Sequence, residues 1–87
     1  MHYLYILKSK KNSQLYIGQT DDLRRRFEEH NKGLSMATKA YKPFTLVYYE
    51  AYRSKRDAIA REIKLKKFKQ GYSRLKQRLT FSLEEQS

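Results

Sequence analysis

The chain has 87 residues, and its 20 Lys and Arg against 9 Asp and Glu give a formal charge of +11, with no cysteine. That length bounds one small core and hence one domain over 1–87. The missing cysteines exclude disulfides and thiolate metal sites and suit a reducing compartment, and no apolar run is long enough to span a bilayer.

Self-repulsion at this charge density calls for a polyanionic partner. No segment pairs a basic face with a broad apolar one, so nucleic acid is favoured over a membrane surface. The start, Met1-His2-Tyr3, lacks a signal peptide's basic n-region, and the expected location is the cytoplasm.

His2 to Lys8 is rich in aromatic and branched residues and reads as a strand, with Tyr3, Tyr5 and Leu7 on one face and Leu4 and Ile6 on the other. A polar turn, Lys10 to Ser13, leads to a second strand from Gln14 to Gln19. There Tyr16 and Gly18 oppose Leu15 and Ile17. So short a connection implies an antiparallel hairpin. Tyr5 and Tyr16 share a face if the register allows it.

A helix should follow, with Thr20 as N-cap, Asp21 and Asp22 in the first turn, and Gly33 just past its end. Leu23 and Phe27 define its apolar stripe. Arg26 and His30, also i and i+4, lie on or beside that stripe, whereas Arg25, Glu28 and Glu29 project towards water. An inward arginine is also explained by a stem covering the core with its head in solvent, and a lone histidine by a satisfied core position.

Residues 34–42 form a basic, hydroxyl-bearing loop ended by Pro43. Lys39, Tyr41 and Lys42 there could hold phosphates or stack on a base, or simply be solvated. Pro43 drives Lys42 into extended backbone. A third strand, Phe44 to Tyr52, then places Thr45, Val47 and Tyr49 opposite Phe44, Leu46 and Tyr48. Apolar residues on both sides predict helices on both faces of the sheet.

Ser54 and Asp57 open a second helix that is expected to reach about Lys69 and stop at Gly71. Ala58, Ile59, Ile63 and Leu65 make its apolar face, with Glu62 inside it. A carboxylate among aliphatics needs a partner. The plain choice is Lys66 at i+4, and the sharper one is a cation held against a phosphate. Lys64, Lys66, Lys67 and Lys69 crowd the same helix and would suit a nucleic-acid backbone. Ser73 to Leu79 reads as a last short helix, and the tail from Thr80 to Ser87 as frayed, with Phe81 and Leu83 available to dock.

These pieces together resemble the GIY-YIG nuclease domain. Tyr3-Leu4-Tyr5 stands in the first motif position and Tyr16-Ile17-Gly18 in the second, followed by Arg26, His30-Asn31 and Glu62. Ser35 to Lys39 with Pro43, Leu46 to Glu50, Ala60-Arg61-Glu62 with Lys64, and Leu75-Lys76 with Arg78-Leu79 extend the likeness over nearly the whole chain. It is similar to the small stand-alone bacterial members, loosely called excinuclease-like. Two departures stand out: Tyr3 and Leu4 replace Gly and Ile, and no asparagine follows Glu62, where many catalytic members carry one.

The resemblance implies an α+β fold, a three-stranded antiparallel sheet flanked by helices, and metal-dependent hydrolysis of DNA; a third reading, an RNA-binding accessory protein, rests on charge and aromatics alone. It implies a catalytic set of Tyr5, Tyr16, Arg26, His30 and Glu62, the last holding Mg²⁺ or Mn²⁺. Tyr16 is the expected general base and Tyr5 orients the water, Arg26 and the metal favouring a phenolate. Arg26 would neutralise charge on the phosphate, and His30 would relay a proton or orient a tyrosine. Gly18 is expected to serve close packing. Lys39, Lys42, Lys66 and Lys67 are the expected backbone contacts. The alternative is a non-catalytic nucleic-acid-binding module on a nuclease fold.

Overall fold

The computed structural model describes residues 1–84, and the last part of the tail, 85–87, lies outside the described residues. Strands β1 (His2–Ser9), β2 (Leu15–Thr20) and β3 (Phe44–Tyr52) form one antiparallel sheet in the order β2-β1-β3. The most apolar strand is central, and its Leu4, Ile6 and Leu7 are fully buried. Between β1 and β2, the Ser9 hydroxyl accepts the backbone N–H of Lys11 and Asn12, and Ser13 takes a positive φ of 61°. Lys42 is extended ahead of Pro43, as expected, and the bond between them is cis.

Helices cover both faces. Helix α1 (Leu23–Asn31) packs Leu23 and Phe27 against Tyr5, Leu7 and Phe44. Helices α2 (Lys55–Lys67) and α3 (Lys69–Arg78) bring Leu65 and Leu75 onto Leu4 and Ile6. Asn31 ties the end of α1 to the start of β3 by accepting the Phe44 N–H at 2.5 Å and donating to its carbonyl at 3.3 Å. Gly33, at φ 76°, closes α1 as expected, with the Leu34 N–H returning to the Glu29 carbonyl at 3.0 Å.

Several local expectations are corrected. The α1 N-cap is Asp22, whose carboxylate accepts the Arg25 N–H at 3.0 Å, while the Thr20 hydroxyl forms a turn of its own by accepting the Asp22 N–H. The first turn of α1 therefore holds no acid, and Asp21 pairs instead with Arg25. Strict alternation fails in β3. Leu7 pairs with Leu46 but Ile6 with Tyr48, so Val47 is an extra residue, a β-bulge. Phe44 and Leu46 thus face α1, whereas Tyr48 joins Val47 on the α2 side and Tyr49 moves to the Tyr5 side, where its ring meets Tyr3 edge-on.

The second helix ends earlier than expected. Phe68 is extended (φ −109°, ψ 98°) and separates α2 from α3, and Gly71 lies inside α3 with open space around it. Ile63 is exposed and leaves the inner face of α2, where half-buried Arg61 and Glu62 join the expected Ala58, Ile59 and Leu65. The tail is not frayed over its described part, where Thr80–Glu84 forms helix α4. Phe81 does not dock, being 78% exposed, but Leu83 is half-buried and its carbonyl accepts from the Lys8 ammonium at 2.6 Å. Within the 34–42 loop, Lys39–Tyr41 form one 3-10 turn.

Candidate active site

The β1–β2 register sets Tyr5 opposite Gly18 and Leu7 opposite Tyr16, so the two tyrosines share the α1 face of the sheet as diagonal neighbours. Gly18 decides where the Tyr5 side chain goes. A Cβ at residue 18 would fall 2.3 Å from the Tyr5 hydroxyl oxygen and 2.5 Å from Cζ, so the phenol lies across the bare backbone of β2. Strand β2 is an edge strand, and a cleft of roughly 700 Å³ straddles it. Tyr5, Tyr16, Arg26, His30 and Glu62 all line that cleft, joined by Thr38 and Lys66. The five residues expected at the site are brought together.

Their environments differ. Tyr5 is buried, and its hydroxyl lies 3.0 Å from His30 Nε2. Burial raises its pKa, and Arg26 beside it counteracts this only in part; Glu62 adds to the rise and Lys66 opposes it. Tyr16 is half-buried, with its ring stacked on Tyr41 and edge-on to Phe44, and its hydroxyl accepts from the Asn12 amide at 3.1 Å.

His30, 4% exposed, is held at both ring nitrogens, with Nδ1 lying 2.7 Å from the Thr38 hydroxyl. Burial and the Arg26 charge lower its pKa, so the ring is neutral at pH 7. A neutral imidazole carries one proton, so one of its two hydroxyl partners donates to it and the other accepts.

Among the three consecutive arginines, Arg24 and Arg25 are exposed and Arg26 is half-buried, facing inward as expected. Glu29 does not project into water. It is half-buried and accepts from Arg26 Nη1 at 3.2 Å. Burial pulls the Arg26 pKa down, but Tyr5 and Glu29 outweigh it and the net shift is upward. This guanidinium stays charged.

The Glu62 side chain is 20% exposed and accepts from Lys66 at 3.0 Å, the i, i+4 pair that the sequence allowed. Such a pair at a surface contributes only about 0.3–0.5 kcal/mol. Among the described residues, no three His, Cys, Asp or Glu gather as a metal site. A divalent ion at Glu62 would take one carboxylate from the protein and its remaining ligands from waters and substrate oxygens. An all-oxygen set of that kind fits a hard cation such as Mg²⁺. Of the four expected nucleic-acid contacts, Lys66 lines the cleft, while Lys39, Lys42 and Lys67 are exposed and do not. The Lys42 stem instead lies over Gly33.

Two features escaped the sequence. Thr38 is the one buried residue between Gly33 and Pro43, and its role shows only once the loop is folded onto His30. Glu50 accepts from Tyr48 at 2.6 Å, from Tyr52, and from Arg61 at 3.0 Å. Although burial raises the Glu50 pKa, the two phenols and Arg61 outweigh it and the net shift is downward, while burial and then the Glu50 carboxylate push Tyr52 up to about 12 against the opposing Arg61 charge. This brace fixes α2 to β3 one residue before Glu62. The period-two spacing of Tyr48, Glu50 and Tyr52 was its available signal.

Comparison with known proteins bears on the family and the fold. The family model of the GIY-YIG catalytic domain matches residues 1–77. A UPF0213 protein of Staphylococcus haemolyticus is 44% identical over 68 residues, covering 77% of this chain and 82% of its own. One from Clostridium perfringens is likewise 44% identical, over 77% of this chain and 72% of its own. The solution NMR structure of the UPF0213 protein BH0048 from Bacillus halodurans is 36% identical, with a TM-score of 0.51 over 95% of this chain and 84% of that one.

Proposed function

The chain belongs to the GIY-YIG nuclease family, and on that premise we propose that it is a metal-dependent endonuclease hydrolysing phosphodiester bonds in DNA. The observation that carries this reading is the convergence of Tyr5, His30, Arg26 and Glu62 from three elements on one cleft over the β2 edge. Surface binding alone does not call for a buried tyrosine–histidine–threonine chain that opens onto the same cleft.

In this reading Tyr16 takes the proton from the attacking water. The buried Tyr5 phenol stays protonated and orients that water, and neutral His30 fixes the phenol through Nε2. The water oxygen bonds to phosphorus, the bond to one bridging oxygen breaks, and that oxygen leaves as a hydroxyl by taking a proton from solvent. Arg26, held between Tyr5 and Glu29, neutralises charge growing on the non-bridging oxygens. Glu62 would hold Mg²⁺ or Mn²⁺, whose chemistry is to polarise the phosphoryl group. Exposed Lys39, Lys42, Lys66 and Lys67 would contact the strand around the site.

The test is incubation of linear, branched, flapped and damaged DNA with Mg²⁺ or Mn²⁺, comparing wild type with Glu62→Ala and Tyr16→Phe. Cleavage by wild type and its loss in both variants is expected. No cleavage by wild type, or full activity in both variants, overturns the proposal.

A second reading, binding without catalysis, is favoured by two observations: Lys66 already pairs with Glu62, and the sequence after Glu62 contains no asparagine. It predicts salt-sensitive binding, log K falling by about 0.9 per neutralised phosphate on duplex DNA, with no strand scission under any metal. Cross-linking that recovers RNA instead of DNA would change the substrate in either reading.

A further inference from the structure

Phe68 stands at the one break in the C-terminal helical run between Lys55 and Arg78. It is both the C-cap of α2 and the N-cap of α3, and its side chain makes no capping hydrogen bond. An apolar residue there forgoes what Ser, Thr, Asp or Asn would supply to the first turn. Its aromatic ring is not used for the core either, because Phe68 is 56% exposed. The ordinary account is a surface pair with Lys67, whose Nζ lies 5.7 Å from the ring centroid. That contact does not explain why an exposed aromatic occupies a cap.

The surroundings identify what the ring would meet. Lys66, Lys67 and Lys69 flank it, and Lys66 and Lys69 also line the cleft that holds Glu62. Positive charge is thus continuous from the candidate active site to the ring. Phe68 lies six residues beyond Glu62, about 9 Å along a helix axis, or roughly two to three nucleotide steps at duplex spacing. A polyanion following these ammonium groups would lead its bases past the phenyl face. A paired base keeps its faces inside the duplex stack, and only an unpaired one offers a face to the ring.

We infer that Phe68 is a base-stacking platform that selects nucleic acid with an unpaired nucleotide near the scissile phosphate. This rests on the nuclease reading for the position of the cut, but stacking itself does not depend on cleavage.

The experiment measures fluorescence anisotropy in EDTA, with a labelled duplex carrying a short single-stranded extension and a blunt duplex of equal phosphate count. Wild type is expected to prefer the extended duplex. Phe68→Ala is expected to weaken binding to the extended duplex by about 5- to 150-fold, the range for loss of one stacked base, while leaving the blunt duplex unchanged. An abasic extension should copy the loss in wild type. Phe68→Ser controls for folding: a serine N-cap should raise the melting temperature of the free protein, yet base-dependent binding should still be lost.

The inference is overturned if both variants bind the two duplexes as wild type does, if they weaken both equally, or if an abasic extension binds as tightly as a complete one. Phe68-dependent binding without scission in added Mg²⁺ or Mn²⁺ would remove the nuclease reading alone. Scission with no dependence on Phe68 would remove this one alone.

Discussion

Tyr5 and Gly18 face each other across the hairpin, and the phenol of one occupies the space where a side chain of the other would be. The glycine is required by this approach and not by its backbone angles, since the glycine with positive φ is Gly33. The neighbouring strand thereby gives Tyr5 its route to the cleft.

Gly18→Ala should therefore displace Tyr5 or push β2 outwards. The added methyl meets a buried aromatic ring at 2.3 to 2.5 Å, which cannot relax as a flexible chain end would. Overpacking of this kind costs about 1–3 kcal/mol. Urea denaturation is expected to register that loss, and nuclease activity should fall further than stability does. Unchanged stability and activity together would show that the close approach is not maintained in solution.

Thr38 is expected to act through His30. Thr38→Val removes the hydroxyl from Nδ1 and leaves a buried polar atom without a partner, at a cost of about 1–3 kcal/mol. Thr38→Ser keeps the hydroxyl and should restore both stability and rate. NMR titration of the imidazole separates positioning from packing: valine should alter the His30 titration and its tautomer, and serine should return both to wild type. A purely structural threonine would leave the ring's tautomer unaffected.

Stability should fall on acidification in two windows. The folded pKa of His30 is below its ordinary 6.5, so the unfolded chain binds more protons as pH drops. Stability is then fully present above about 6.5 and is lost as pH falls from there towards the folded value. The Glu50 carboxyl is also held below its ordinary 4.5, and its contribution is present above that value and lost as pH falls through the folded pKa. Chemical denaturation across pH should show the upper window vanish in His30→Gln and the lower one in Glu50→Gln. A wild-type profile flat as pH falls from 7 to about 4.5 would contradict the His30 assignment, and one flat below about 4.5 would contradict that of Glu50.

Lys66→Ala should free the Glu62 carboxylate from its 3.0 Å partner. On the proposed function the lysine would compete with a metal for Glu62, yet would add charge for a phosphate backbone. The variant is expected to need less Mg²⁺ for half-maximal cleavage while binding DNA more weakly and with a shallower salt dependence. Metal titrations at constant ionic strength measure the first effect and binding across salt concentrations the second. Equal metal dependence in both proteins would mean that Lys66 does not compete at Glu62.

Much of this was legible in the chain. The hairpin, α1 and β3 follow from period-two and i, i+4 patterns that tertiary contacts reinforced, and the same wheel placed Arg26 inward and Glu62 among buried neighbours. What failed to read did so for identifiable reasons. A glycine in a helix costs about 1 kcal/mol relative to alanine, so Gly71 looked like a terminator, but the packing of Leu75 on Leu4 and Ile6 holds α3 across it. Ile63 was assigned inward by hydrophobicity, whereas the Arg61–Glu50 pair turns α2 so that two charged residues take the inner face. The helical wheel points Glu29 towards water, but Arg26 draws it back. In both cases a specific ion pair outweighed the average preference of a residue type.

The extra residue at Val47 works as a change of phase. Before it β3 is in step with α1, contributing Phe44 and Leu46 beneath that helix; after it the strand is in step with α2, offering Glu50 to Arg61. One strand thus carries two alternating codes end to end, each addressed to a different helix. Neither code can be lengthened by a residue without scrambling the other, so the spacing between the Phe44 end and the Glu50 end is under tighter constraint than the identity of the residue that sets it.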